Sequence, residues 1–261
     1  MLAALLPLVG YFIVKHYSGT AVVMPGYYLP DSVITKTIDG KLISDTVWHK
    51  LPDFTLTNQL GQQVSLSDMQ TSDSTGKIIV ADFFFTHCPT ICPTLTSNMK
   101  RLEASITNSE RVGNRAPDFI RFLSFSIDPE RDSVERLKHW ADRFQINPEL
   151  WWLLTGDKKT IYDLSIDHMK LAAIDGEGVD TSFIHTDLFV LIDRNRHVRG
   201  YYRGLDTVSL SRLSRDIILL TLEKDTNKKS FFAGKLQFMI LTMLIVIVGV
   251  GIFLYFFRKM K

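Results

Sequence analysis

The stretch Phe83-Phe84-Phe85-Thr86-His87-Cys88-Pro89-Thr90-Ile91-Cys92-Pro93 contains both cysteines of the chain, four residues apart. The run at residues 77–85 is apolar, β-branched and aromatic, which predicts a buried strand. Beyond the stretch, apolar residues recur at the spacing of one helical face: Leu95, Met99, Leu102 and Ile106. The two thiols are therefore predicted to lie at a turn between a strand and a helix.

The prolines beside the cysteines predict the shape of this turn. Pro93 suits the first position of a helix, and it disfavours helical angles for Cys92, which is therefore expected at the cap. Pro89 disfavours helical angles for Cys88 in the same way, so the intervening loop must curl if the thiols are to converge. In that case the positive end of the helix dipole is expected to favour thiolates.

Two converging thiols can exchange disulfides or bind a soft metal. Pairs built for disulfide exchange usually have the Cys-x-x-Cys spacing, and the wider spacing here also leaves room for a metal. Thiolates select copper(I), whereas a structural zinc site needs four protein ligands and this chain has two thiols. The alternative of two inert buried thiols is disfavoured because cysteines flanked by proline at such a turn are poor core residues.

A third ligand would come from one of seven histidines. His185 is the first candidate, because it lies just before the predicted strand 188–192, at the end of a polar loop. His168 remains a second candidate. The others have simpler explanations on helices, hairpins or the N-terminal segment, and they are His16, His49, His87, His139 and His197.

Composition limits the class of protein. A chain of 261 residues with 46% hydrophobic residues can bury one sizeable core, and it has no repeats. The formal net charge is +2, and no basic stripe interleaved with aromatic residues is present, which argues against nucleic acid as a partner. Two cysteines exclude a scaffold held together by several disulfides.

The order of elements predicts one α/β domain at residues 52–224, preceded by an approach segment at residues 18–51. Asp39-Gly40 predicts a hairpin in the approach segment, and a second hairpin is expected at residues 54–66. Asp128 is expected to cap a helix that begins at Pro129. The remaining elements are a strand at 119–127, a helix at 157–168, strands at 188–192 and 197–202, and a closing helix around Leu213. This order predicts a mixed sheet with helices on both faces.

Both ends of the chain are apolar. Residues 236–257 contain no charged side chain and are long enough to cross a bilayer, so they predict a C-terminal transmembrane helix. Residues 1–17 begin with an apolar run and are interpreted as an N-terminal membrane anchor or leader. The domain is thus expected to be tethered to a membrane.

Three motifs in order resemble the Sco/SenC family of copper chaperones. They are Phe84-Phe85-Thr86-His87-Cys88-Pro89-Thr90-Ile91-Cys92-Pro93, then Ser126-Ile127-Asp128-Pro129-Glu130-Arg131-Asp132, then His185-Thr186-Asp187 leading into Leu191-Ile192-Asp193. The resemblance covers roughly residues 52–222. It implies a thioredoxin-like fold and a role in assembling the dinuclear copper site of cytochrome c oxidase.

The resemblance also implies the ligands, the partner and the location. Copper, as Cu(I) or Cu(II), would be bound by Cys88, Cys92 and His185, and Asp128 corresponds to an acidic residue near the site. The partner would be the copper-accepting subunit of the oxidase, and the domain would face the periplasmic, extracytoplasmic side of a membrane. Family members usually have one N-terminal anchor, whereas the C-terminal span is the clearer one here.

A copper carrier is not an enzyme, and two enzymatic functions are the alternatives. A thiol-disulfide oxidoreductase would use Cys88 and Cys92 to reduce the cysteines of the oxidase site. Against it, all nine prolines lie at or before Pro148, so the position of the cis-proline of thioredoxin-like reductases is taken by the segment of His185. A peroxidase is less favoured, since the basic residues closest in sequence to Cys88 are His87 and Lys100.

Overall fold

The computed structural model describes residues 10, 12–13, 23–38, 41–69, 76–109, 117–171, 186–223 and 258–259. The chain divides into two units, Met1–Leu222 and Glu223–Lys261. The predicted transmembrane segment 236–257 and nearly all of the predicted anchor 1–17 lie outside the described residues. Within the described ranges, no helix combines the length and the apolarity needed to cross a membrane.

The described residues form five consecutive strands, then helices and strands that alternate, and finally a hairpin and a helix. The strands are β1 (Pro30–Ile38), β2 (Lys41–Trp48), β3 (Thr55–Asn58), β4 (Gln63–Ser65), β5 (Ile78–Phe84), β6 (Ile120–Ser126), β7 (Trp151–Thr155), β8 (Leu188–Ile192) and β9 (Val198–Arg203). The helices are α1 (Ile91–Ser109), α2 (Val134–Arg143), α3 (Lys158–Asp163), the π-helical turn Leu164–His168, and α4 (Thr207–Leu222).

The central sheet is mixed, in the order β4-β3-β7-β6-β5-β8-β9. Every residue of β5 and of β6 is buried, as expected for inner strands covered on both faces. Strands β5, β6 and β7 are parallel neighbours, so right-handed crossovers place α1 and α2 on the same face of the sheet. The indole of Trp140 on α2 donates to the hydroxyl of Thr96 on α1 over 3.2 Å, which joins the two helices.

The predicted hairpins are confirmed. Strands β1 and β2 form a separate two-stranded antiparallel sheet in which Ile38 pairs with Lys41, and the two turn residues between them lie outside the described residues. Strands β3 and β4 are paired antiparallel, and so are β8 and β9.

Two predicted helix starts were wrong. Asp128 does not cap a helix, because its carbonyl accepts the amides of Arg131 and Asp132 in a turn. Helix α2 begins later, at Val134, and Ser133 is its cap. Helix α1 begins at Ile91, so Cys92 lies inside the first turn and Pro93 is the third helical residue. A proline is accommodated there because the first amides of a helix have no intrahelical acceptor.

The predicted helix at residues 157–168 is present in two parts. Asp157 caps α3 by accepting the amide of Thr160 over 2.8 Å. The last five residues form a π-helical turn that ends at His168. The sequence predicted the extent of this helix, but it indicated neither the cap at Asp157 nor the π-helical turn.

A buried arginine fastens the segment before β1 to the sheet. The guanidinium of Arg199, with 1% of its side chain exposed, donates to the carbonyl oxygens of Pro25 and Gly26 at 2.6 and 3.2 Å. It also donates to the buried carboxylate of Asp193 over 2.9 Å and lies 4.1 Å from the ring centre of Tyr27. These contacts join the N-terminal segment to β9.

Replacing this arginine by leucine is expected to lower the free energy of unfolding by about 3–5 kcal/mol, because the carboxylate of Asp193 would stay buried without its cation. Urea denaturation of the full chain in detergent measures the change. The control is Lys138→Ala, which removes an exposed pair with Asp142 and should cost less than about 1 kcal/mol. Equal small losses for both variants would contradict this account of Arg199.

Candidate metal and thiol site

The two cysteines converge at the turn between β5 and α1. The amide of Cys88 donates to the carbonyl of Phe85 over 3.3 Å, which curls the loop back on the end of the strand. The amide of Cys92 then donates to Sγ of Cys88 over 3.4 Å. Both cysteines are in the thiol form, and the residues are only 4% and 2% exposed. The loop residues Pro89 and Thr90 between them are exposed, so the loop itself is accessible to a partner.

The protonation of Cys92 differs from the sequence-based expectation. Burial raises the pKa of its thiol, and the hydrogen bond with Cys88 raises it further, outweighing a backbone hydrogen bond from Phe85. The negative charge of Asp82 acts in the same direction. Desolvation therefore outweighs the helix dipole at this position, and Cys92 is a neutral thiol at pH 7. A metal that binds its sulfur has to displace a proton.

Asp82 lies buried in β5, and no sequence motif indicated a role for it. Burial raises its pKa to about 7, although a hydrogen bond with Ser124 acts in the opposite direction. Ser124 in turn accepts the indole N–H of Trp151 over 2.9 Å. Among the described residues, Oδ1 of Asp82 has no hydrogen-bond partner. The available signal was a single charged residue within an otherwise apolar strand.

Asp82→Asn is expected to flatten the pH dependence of stability. The pKa of Asp82 in the folded chain is about 7 against an ordinary 3.8, so folding favours its protonated form. The contribution of protonated Asp82 to the free energy of unfolding is fully present below pH 3.8 and is lost as the pH rises through 7. The loss corresponds to about 4 kcal/mol. Urea denaturation from pH 4.5 to 8.5 should show wild type losing stability relative to Asp82→Asn, and parallel curves would refute the assignment. Asp142→Asn, at an exposed carboxylate, is the control.

A second buried carboxylate, Asp132, holds the cysteine loop. Asp132 is fully buried, and its carboxylate accepts hydrogen bonds from the amide of Thr86 over 3.1 Å and from the hydroxyl of Thr86 over 2.5 Å. It also accepts the hydroxyl of Ser126, at the end of β6, over 2.6 Å. Asp132 belongs to a motif quoted above, but the sequence did not indicate this role.

Asp128 lies beside the cysteine loop, on its exposed side. Its carboxylate lies 3.4 Å from Nε2 of His87 and 3.7 Å from Nε of Arg131. A guanidinium nitrogen of Arg131 lies 3.1 Å from the same ring nitrogen of His87. Asp128 is therefore near the site, as the family resemblance implied, and its contacts are with the residue that precedes Cys88.

Several histidines are engaged elsewhere. Ring nitrogens of His49 and His168 lie 3.1 Å apart, and the other ring nitrogen of His49 lies 2.8 Å from Asp31. His197 lies 3.6 Å from the carboxylate of Asp193. Within the described part of the chain, no three His, Cys, Asp or Glu side chains form a group that could hold a metal ion. His168 thus contacts His49, and among the described residues it belongs to no group of side chains that could hold a metal ion.

His185 lies outside the described residues, but the chain that follows it is described. Strand β8 is antiparallel to β5, with Val190 opposite Ala81, so its start points toward the end of β5 from which the cysteine loop departs. A side-chain carbon added to Gly204 would lie 2.6 Å from Leu95 and 2.9 Å from the carbonyl oxygen of Asp187. Leu95 is one turn beyond Cys92, so the segment just after residue 185 runs close to the cysteine helix.

Comparison with known proteins agrees with the motifs. The SCO1/SenC family model matches residues 46–217. The SCO1 protein homolog of Bacillus subtilis (strain 168) is 30% identical over 179 residues, which are 68% of this chain and 86% of that protein.

Solved structures agree as well. BsSco is 28% identical with a TM-score of 0.55, over 68% of this chain and 96% of its own. It is described as having a disulfide switch and as a member of the Sco family of cytochrome c oxidase assembly proteins. A SCO1/SenC family lipoprotein from Bacillus anthracis str. Ames is 32% identical with a TM-score of 0.53, over 66% of this chain and 95% of its own. The chain therefore has a thioredoxin-like Sco fold with an N-terminal hairpin and belongs to the SCO1/SenC family.

Proposed function

We propose that this protein is a membrane-tethered copper metallochaperone, which delivers copper to the dinuclear copper site of cytochrome c oxidase and helps to assemble it. Copper is the cargo, and its ligands are Cys88, Cys92 and His185. The observation that carries the proposal is the convergence of the two buried thiols beside an exposed loop, where the amide of Cys92 donates to Sγ of Cys88.

The donor set fits copper better than other metals. Two thiolates and one imidazole are soft to intermediate donors, which favour copper(I) over the hard cations. Zinc in a structural site would require a fourth protein ligand. A site with only three ligands also suits delivery, because an acceptor thiolate can form a bond to copper while one donor of the carrier is released.

Two contacts support His185 as the third ligand. The pairing of β8 with β5 directs the segment before Leu188 toward the cysteine loop. The close approach of Gly204 to both Leu95 and Asp187 brings the chain immediately after His185 against α1. Both features place the described residues that follow His185 beside the helix that carries Cys92.

The tether follows from the apolar ends of the chain. In this proposal residues 236–257 span the membrane, residues 1–17 are a second anchor or a leader, and residues 52–224 form the copper-binding domain on the extracytoplasmic side. There the domain would meet the copper-accepting subunit of the oxidase.

A thiol-disulfide oxidoreductase that reduces the cysteines of the oxidase site is the second candidate. It is favoured by the proximity of the thiols, which hydrogen-bond to each other, and by the disulfide switch reported for BsSco. A reductase needs Cys88 and Cys92 but no third ligand, so the two functions make different demands on His185.

The test follows copper from carrier to acceptor. The full chain in detergent is loaded anaerobically with Cu(I) and mixed with the copper-free soluble domain of the oxidase subunit, whose cysteines have been reduced beforehand. The proposal expects one copper per carrier and transfer to the acceptor. A carrier that retains no copper, yet rapidly reduces the acceptor when its cysteines are supplied as a disulfide, would establish the reductase instead.

A further inference from the structure

A buried hydrogen-bond cluster beneath the cysteine loop has no role in the function proposed above. Asp132 is fully buried and lies after β6, whereas Thr86 lies between β5 and Cys88. The carboxylate accepts both the amide and the hydroxyl of Thr86, and it accepts the hydroxyl of Ser126 as well. The cluster thus ties the start of the loop to the end of a neighbouring strand.

We propose that Asp132 is the positioning residue of the thiol site, holding Thr86 and therefore Cys88 in the geometry in which the two sulfurs converge. The proposal rests on the proposed function for its copper-binding consequence. Its geometric part concerns the thiols alone and applies equally to disulfide exchange.

The energetics favour a rigid clamp over an incidental contact. A buried carboxylate must be compensated, and in the described part of the chain Asp132 forms no ion pair, so hydrogen bonds supply the compensation. Hydrogen bonds to a charged acceptor are stronger than those between neutral groups. Moving Thr86 away would leave the buried carboxylate without two of its hydrogen bonds. This energetic cost holds the loop in place where it leaves β5.

The clamp reaches the metal-binding sulfur through a short covalent path. Thr86 is separated from Cys88 only by His87, and the amide of Cys88 is fixed to the carbonyl of Phe85, the residue before Thr86. The amide of Cys92 in turn points at Sγ of Cys88. A shift at Thr86 would therefore displace the first sulfur relative to the second.

The experiment compares variants that cut the clamp with variants that keep it. Asp132→Asn removes the negative charge of the clamp, and Thr86→Val removes the hydroxyl. Thr86→Ser retains the hydrogen bonds of both the amide and the hydroxyl to Asp132. Asp157→Ala, which removes the cap of α3, supplies a loss of stability away from the thiols. Each full-length variant is tested for Cu(I) affinity, for urea stability and for the equilibrium with glutathione. In that equilibrium, oxidised glutathione takes up two electrons and two protons from Cys88 and Cys92, which form a disulfide, and yields two molecules of glutathione.

We expect Asp132→Asn and Thr86→Val each to lower Cu(I) affinity by about 10–100-fold, the range seen when supporting partners of metal ligands are removed. Both should also lower the equilibrium constant for disulfide formation, since the sulfurs are no longer held together. Thr86→Ser should behave as wild type. A variant that combines Asp132→Asn with Thr86→Val should lose little more Cu(I) affinity than either single variant, because both changes cut the same contact.

Two outcomes would overturn the proposal. The first is that the clamp variants lose no more Cu(I) affinity than Asp157→Ala does when the losses of stability are equal. The cluster would then have a purely structural role. The other is an unchanged glutathione equilibrium in both clamp variants. If wild type binds no Cu(I), the proposed function fails, and the glutathione equilibrium alone still decides whether Asp132 positions the thiols.

Discussion

Cys88→Ser and Cys92→Ser are each expected to lower the affinity for Cu(I) by more than about 100-fold, beyond the range seen for supporting residues of a metal site. The cause is the loss of a soft donor, because a serine hydroxyl at neutral pH is a hard and protonated oxygen. Competition with a chromogenic Cu(I) chelator under anaerobic conditions measures the affinity in the full chain. Far-UV circular dichroism establishes that the variants are folded.

Thr90→Val is the matched control for the cysteine variants. Thr90 lies on the exposed loop between the cysteines, and its hydroxyl lies 3.8 Å from Sγ of Cys88. Because this substitution keeps both thiols, its affinity should stay within about threefold of wild type, as for most surface substitutions. Retention of one copper at wild-type affinity in either serine variant would exclude the thiol pair as the binding site.

His185→Ala is expected to lower Cu(I) affinity by about 10–100-fold while leaving disulfide exchange by Cys88 and Cys92 unchanged. Two thiolates can still hold copper(I), so the expected loss is smaller than that of a cysteine variant. The same chelator competition measures the affinity, and the rate of reduction of a small disulfide substrate measures the exchange. This split distinguishes a copper carrier from a reductase.

The control for this variant is His168→Ala. That histidine was the other candidate ligand, and it pairs with His49 in the structure. Its removal should leave copper affinity within about threefold of wild type. If His168→Ala lowers affinity and His185→Ala does not, the ligand set proposed here is incorrect.

The fold was largely predictable because its elements have strong local signals. A continuous apolar run predicts β5, an Asp-Gly turn predicts the first hairpin, and apolar residues at helical spacing predict α4. The errors were at helix starts. Asp128-Pro129 has the local chemistry of a cap, but the carbonyl of Asp128 is used in a turn, and the helix begins only at Val134.

The candidate site was predictable only in part. The position of Cys88 and Cys92 at a strand-to-helix turn followed from proline and apolar patterns. The protonation of Cys92 did not, because it depends on burial and on Asp82, which the chain brings near only after folding. The contacts of Asp132 with Thr86 join residues 46 positions apart, and no local pattern reports such a pair.

The central claim is that two sulfurs and one imidazole share a single copper ion. X-ray absorption at the copper edge tests it most directly on the Cu(I)-loaded full chain. Wild type should show two sulfur neighbours at roughly 2.3 Å and one nitrogen at roughly 2.0 Å, distances typical of such donors, and His185→Ala should lose the nitrogen alone. A wild-type spectrum with sulfur neighbours only, unchanged in His185→Ala, would contradict the account.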